Sequence, residues 1–403
     1  MQGPFIDVGL DDCELFARGV PHEVLTRLRT ESPVVRHLER GGPGFWAITR
    51  HADVVRISKD PETFSSALGT NIFDPPAADL PLIQAILINM DPPQHVKFRR
   101  IVKAGFTPNR IQRLEPHVRA IARSIVDEVA HKGECDFVAD VAAELPLRVI
   151  AEMLGVPEGD RRRIYELSNR LILGANASPE NMAASKAAAL EMWLYAQRLA
   201  EERKARPGTD LVSQLLAGEV DGEKLSELEF DSFFLLLAVA GNETTRNLVS
   251  GGMLALLEHP AQRDQLISNR ALLPDAVEEL LRWVSPISHM RRTATRDVEL
   301  RGERILEGEK VVLWYASANR DEEVFEKPFR FDVRRRPNRH LAFGIGQHFC
   351  LGSHLARMET RVLFEELLRR LPDLALAGPL RLLRSNFIDG VKEMRVRYTP
   401  ERR

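Results

Sequence analysis

One stretch concentrates residues with chemical capability: Phe343-Gly344-Ile345-Gly346-Gln347-His348-Phe349-Cys350-Leu351-Gly352. It sets one of only three cysteines (Cys13, Cys135 and Cys350) in a glycine-rich loop, ahead of Leu351, Leu355, Met358 and Leu363, an apolar helical spacing. A thiol at a helix N-terminus is biased towards thiolate, because free N–H groups and the helix dipole favour negative charge. A thiolate is a soft ligand for iron. Taken alone, Cys350 supports three uses: a small buried hydrophobe, a nucleophile with His348 as base, or an axial ligand.

A second stretch, residues 233–245, runs Phe-Phe-Leu-Leu-Leu-Ala-Val-Ala-Gly-Asn-Glu-Thr-Thr. An apolar helix here acquires a glycine, an acid and two hydroxyls. Glycine mid-helix costs up to about 1 kcal/mol relative to alanine, and threonine bonds back to the preceding turn and bends the helix. Beside the Glu243 carboxylate, these features describe either a local opening that admits a ligand or a helix turning to the surface with a solvated acid. Glu279 and Arg282 stand at i and i+3, an ion pair on one helix face. His95 and Arg99, at i and i+4 after Met90-Asp91-Pro92-Pro93, and Arg292, in Arg292-Thr293-Ala294-Thr295-Arg296-Asp297, supply cations suited to buried carboxylates.

The elements that must position these groups are mostly helical. Pro33–Leu38 and Gly44–Thr49 flank Gly41-Gly42-Pro43 as a hairpin. Helical patterns dominate residues 92–285, broken at Pro157-Glu158-Gly159 and Pro207-Gly208. Strands are predicted at Met290–Ala294 and Lys310–Tyr315, then one long helix after Cys350 and short strands at the C-terminus. The reading is mainly α with a minor β region, as one domain over residues 1–403, with no linker-like shift in composition. Residues 65–90, apolar but aperiodic, read as a loop packed on the core or as the lid of an apolar pocket.

Composition narrows the function. Lys plus Arg number 56 and Asp plus Glu 58, a net charge of −2, so nothing global calls for nucleic acid or an anionic membrane. Three scattered cysteines exclude a disulfide framework and a cysteine-rich zinc site, and suit a reducing cytoplasm. Met1–Asp7 reads as neither signal peptide nor anchor, and no apolar run is long enough to span a bilayer.

The pattern Phe-x-x-Gly-x-x-x-Cys-x-Gly over 343–352 resembles the haem loop of the cytochrome P450 superfamily, in its bacterial soluble branch. Similarity extends from about Glu31 to Val396 and includes Ala318-Asn319-Arg320-Asp321 and Phe325. The resemblance implies the P450 fold, with haem b between the oxygen-binding helix and the cysteine-loop helix, and Cys350 as its iron ligand. Phe343, Gly344 and Gly352 would shape the loop, with Gly346 and Gly352 permitting tight turns. His95, Arg99, Arg292 and His348 would meet the propionates. Ala240-Gly241-Asn242-Glu243-Thr244 resembles the oxygen-binding motif, with Ala240 and Gly241 leaving space, Thr244 hydrogen-bonding dioxygen and Glu243, in place of the commoner aspartate, relaying protons. Glu279 and Arg282 match the Glu-x-x-Arg brace, with Arg330 of Pro328-Phe329-Arg330-Phe331 as third member.

The implied activity is hydroxylation of a hydrophobic small molecule (a terpenoid, steroid or fatty-chain compound) with dioxygen and two electrons from a separate ferredoxin or flavodoxin and its reductase. The different-class alternative is a non-catalytic haem-thiolate ligand-binding or sensor protein. Candidate pocket residues are Ile83, Leu87, Leu171, Phe233, Leu236, Leu237, Val239, Ala240, Ile287, His289, Met290 and Phe387, nearly all apolar. His289 reads as a polar handle or as a satisfied histidine at a strand start. Arg100, Arg334, Arg335, Arg336, Arg339 and Arg357 read as a docking patch on the cysteine side or as solvated charges.

Overall fold

Why the central helix begins where it does is local. Ser226 Oγ accepts from the Glu229 amide (3.4 Å), and the Glu229 carboxylate accepts from the Ser226 amide (2.7 Å). This reciprocal cap satisfies two of the free N–H groups at the start of Glu227–Glu258. The computed structural model describes residues 6–173, 179–220 and 222–402. In it this 32-residue helix lies against Glu144–Leu154, Arg161–Leu173, Pro179–Ala205, Leu273–Val284 and Ser353–Arg370. It is buried on most sides, which is why its apolar residues do not form a single stripe.

The predicted hairpin is present, with Val34–His37 antiparallel to Phe45–Ile48. It joins a five-stranded sheet ordered Val34–His37, Phe45–Ile48, Lys310–Trp314, His289–Ala294, Phe64–Ser65. Lys310–Trp314 pairs parallel with the hairpin and antiparallel with His289–Ala294, where Val311 faces Arg292. This register sends Arg291 and Arg292 to opposite faces. A strand that the sequence reading missed, Glu134–Asp136, pairs with Arg395–Arg397. Short isolated strands of this kind carry no legible alternation.

Residues 65–90 combine both readings. Ile72 is fully buried among Leu10, Phe16 and Trp314. Asp74 is tied to Lys310 Nζ and Arg291 Nη1, both at 2.6 Å. The second half forms short helical turns with Ile83 half-buried. No helix among the described residues is long and apolar enough to cross a membrane.

Candidate active site

The Cys350 loop is held by its own backbone. The Cys350 amide donates to the Phe343 carbonyl (2.9 Å) and the Gly344 amide to the Leu341 carbonyl (2.9 Å). Gly344 and Gly346 sit at φ of 65° and 78°, a region open to glycine at little cost. A Cβ on Gly346 would also collide with the Ser58 carbonyl. Gly352 is different: its φ is −82° and open space surrounds the position of a Cβ, so no turn demands glycine there.

The sequence reading biased Cys350 towards thiolate. In the folded chain, burial pushes the thiol up, and the Gly352 amide, Arg99 and Arg357 only partly oppose this. A bound iron would secure the thiolate, since a metal deprotonates a coordinating thiol outright.

Around this loop the predicted cations converge. The rings of His95 and His348 lie 4.3 Å apart, and His348 Nε2 is 3.3 Å from Ser66 Oγ. Arg99 donates to the Phe349 carbonyl. Arg292, 5% exposed, donates to the Arg291 carbonyl (2.7 Å). Burial, then the positive charge of Arg99, hold the imidazole of His95 down to about 4. Burial, then Arg292, hold His348 down to about 2. Both ring nitrogens of His95 are buried without a protein partner. Tyr315, which no short motif announced, is buried beside Arg292, with its hydroxyl near Gly344.

Across from the loop, the central helix presents Ala240, exposed despite lying mid-helix, and Thr244, one turn on. Thr244 Oγ1 donates back to the Ala240 carbonyl (2.8 Å), as expected of a helical threonine. Glu243 is 3% exposed and is held on a different face: Oε1 accepts from Arg246 and from Asn247 Nδ2 (3.0 Å), while Oε2 is buried without a protein partner. Arg246 in turn reaches Asn169 Oδ1 (3.1 Å).

Gly241 also has a packing role. A Cβ there would come 3.2 Å from Ile150, so its smallness serves the packing of Glu144–Leu154.

Other expectations shift. Phe233 is 1% exposed and stacks near Phe98 (6.2 Å), so it belongs to the core and not to a pocket wall. Leu87 and Leu237 are likewise buried in that core. His289 is fully buried between Trp314 and Phe387, with Nδ1 on the Asn386 carbonyl (3.1 Å). It is a core histidine and not a pocket handle. Ile83, Leu171, Leu236, Val239, Ile287, Met290 and Phe387 remain partly accessible.

Behind the loop, Glu279 and Arg282 form a bidentate pair (2.7 Å twice) with neither side chain exposed. The third member is Arg335, whose Nε lies 3.1 Å from Glu279, and not Arg330. The Lys327–Arg330 turn carries the Arg330 side chain outward, leaving only its carbonyl to accept from Arg282 (3.4 Å) and Arg335 (2.8 Å). The arginine patch is also reduced. Arg335 is tied into this cluster, Arg357 pairs with Glu278, and Arg336, though exposed, pairs with Asp275, leaving Arg100, Arg334 and Arg339 as the exposed arginines outside these pairs.

The set fits haem b: a thiol on a tight loop, an open helix face opposite, and four cationic or imidazole groups suited to two propionates, among which both buried nitrogens of His95 are orphaned. Fold and site therefore define a haem-thiolate protein.

Comparison with known proteins gives the family. The cytochrome P450 family model matches residues 179–372. A steroid C26-monooxygenase of Rhodococcus jostii is 40% identical over 98% of this chain and 86% of its own length. A methyl-branched lipid omega-hydroxylase of Mycobacterium bovis is 42% identical over 98% of this chain and 96% of its own. A Mycobacterium marinum cytochrome P450 in complex with pseudoionone superposes with a TM-score of 0.91 at 39% identity, covering 98% of this chain and 99% of that one. The chain belongs to the cytochrome P450 family. It is a haem b monooxygenase that hydroxylates hydrophobic small molecules with dioxygen.

Proposed function

We propose that this enzyme hydroxylates the terminal carbon of a methyl-branched alkyl chain on a steroid or lipid. The carrying observation is that two similar relatives with different substrates, the steroid C26-monooxygenase and the methyl-branched lipid omega-hydroxylase, share attack at a chain end. The open helix face supports this. Ala240 and Thr244 are flanked by Leu236 and Val239, and the partly accessible side chains assigned to the pocket from other elements are apolar. None is an arginine that would hold a carboxylate near the reacting carbon.

The residue roles follow the geometry. Cys350 would ligate the iron, and the thiolate-ligated haem, when bound, would supply cleavage of the O–O bond and the oxidising power for oxygen insertion. His95, Arg99, Arg292 and His348 would hold the propionates. The Thr244 hydroxyl, which here donates to the Ala240 carbonyl, would donate at the oxygen site, and Glu243 would relay protons towards it through its unpartnered Oε2. Glu279, Arg282 and Arg335 brace the loop. The whole chain acts as one catalytic unit in the cytoplasm. A separate ferredoxin or flavodoxin with its reductase supplies the two electrons and docks near the exposed Arg100, Arg334 and Arg339.

The test is turnover with a ferredoxin, its reductase and NADH on a side-chain-bearing steroid and a methyl-branched fatty acid. Terminal alcohols are expected by mass spectrometry, and ring or mid-chain products would overturn the assignment. Thr244→Ala should keep substrate binding but divert electrons from product, whereas unchanged coupling would remove Thr244 from the proton path.

A further inference from the structure

Adjacent acids grip different arginines. Glu279 faces Arg282 and Arg335, whereas Glu278 turns to the cysteine-loop side. Its carboxylate accepts from Arg357 Nε (2.6 Å) and Nη2 (2.8 Å), and lies 3.0 Å from His340 Nε2. Burial opposes the Glu278 charge, but hydrogen bonds from Arg357 and His340 outweigh it and hold the carboxyl at about 2.

Arg357 is thereby fixed with its guanidinium carbon 4.5 Å from the centre of the Phe343 ring, within the range of a cation–π contact. Phe343 in turn supplies the carbonyl that receives the Cys350 amide, and its ring meets Phe349 edge-on at 6.3 Å. The outer side of this cluster is a cleft of about 350 Å³ lined by Ile111, Val277, His354 and Met358, which lets solvent ions reach the pair.

We propose that Glu278, His340 and Arg357 form an electrostatic clamp that positions Phe343 and tunes the reduction potential of the iron centre ligated by Cys350. The clamp rests on the haem-thiolate reading. Glu278 and His340 act through Arg357, so they are positioning residues. A positive charge near the centre favours its reduced form and a negative charge opposes it. Removing either charge therefore moves the potential in opposite directions, which simple loosening of the loop would not do.

The experiment is a spectroelectrochemical titration of the holoenzyme without any redox partner. Arg357→Met should shift the potential negative and Glu278→Gln positive, with Arg357→Lys between wild type and Arg357→Met. Both shifts should shrink at high salt. Shifts of the same sign, or none, overturn the clamp. If Arg357→Met does not retain haem, Glu278→Gln decides alone: an upward shift supports the clamp, and no shift or a downward one overturns it. The carbon-monoxide absorption of each reduced variant separates the two readings. A thiolate-type band with unmoved potentials defeats the clamp only, whereas its lack in the wild-type protein defeats haem-thiolate ligation itself.

Discussion

Two buried charged regions bracket the Cys350 loop, and they are built on opposite principles. Behind the loop, Glu279 receives Arg282, Arg335, Asn338 Nδ2 and the Asp332 amide, and Arg282 donates its remaining hydrogens to the Asn319 and Pro328 carbonyls. Every strong demand there is met from within the chain. In front of the loop, His95, Arg99, Arg292 and His348 gather without a carboxylate bonded to any of them among the described residues, and both nitrogens of His95 lack protein partners. Arg99 and Arg292 are the cations of this set, since burial keeps the His95 and His348 imidazoles neutral near pH 7, and burying such cations is costly unless an anion completes the set. A self-satisfied cluster holds a fold together, and a one-signed cluster marks where a ligand binds.

That distinction can be broken experimentally. The largest effect is expected from Arg282→Met, which strands Glu279 in the core. Urea unfolding should show a loss of about 3–5 kcal/mol, while Arg330→Ala should stay within about 0.5 kcal/mol, as for an exposed side chain. Equal losses would mean that Arg330 and not Arg335 completes the cluster.

Next comes Arg292→Leu on the one-signed side. It removes an unpaired buried cation, so folding should survive, but haem should be lost about 10–100-fold faster, the worth of one hydrogen bond to a charged group (about 1.5–3 kcal/mol). Transfer of haem to apomyoglobin measures this, and unchanged retention would leave the propionates to the other three residues.

The smallest effect lies outside both regions. His289 is held down to about 3, chiefly by burial. Between pH 6.5 and about 3 the unfolded chain binds the proton that folded His289 refuses, so stability is full above 6.5 and falls as pH drops through that window. His289→Gln should flatten this slope in acid unfolding curves. An unaltered slope would assign it to the other imidazoles held down by burial, His22, His95 and His348.

Much of this was legible in short spacings. Glu279 with Arg282, and Ala240 with Thr244, needed only helical periodicity. The loop from Phe343 to Gly352 is contiguous, so its order along the chain is its order in space. What was misread depended on distant partners. Arg330 and Arg335 occupy the same polar stretch, and only the turns at Lys327–Arg330 and Asp332–Arg335 decide which one reaches Glu279. Gly241 has a second demand that its neighbourhood does not announce, since Ile150, from another helix, packs against it. Phe233 and His289 were apolar-pocket candidates by neighbourhood, but Phe98 and Trp314 cover them.

By itself, then, the sequence determined the kind of chemistry: a cysteine in a glycine-bearing loop, an acid–threonine pair on a buried helix, and cations at helical spacing, each readable because its parts are near neighbours along the chain. The tertiary structure alone decided which charges are spent on the fold and which remain for a ligand. It also buried the Cys350 thiol, which pushes its pKa up. Burial and partnership are properties of the packed chain, created when segments hundreds of residues apart come together, and no local spacing encodes them.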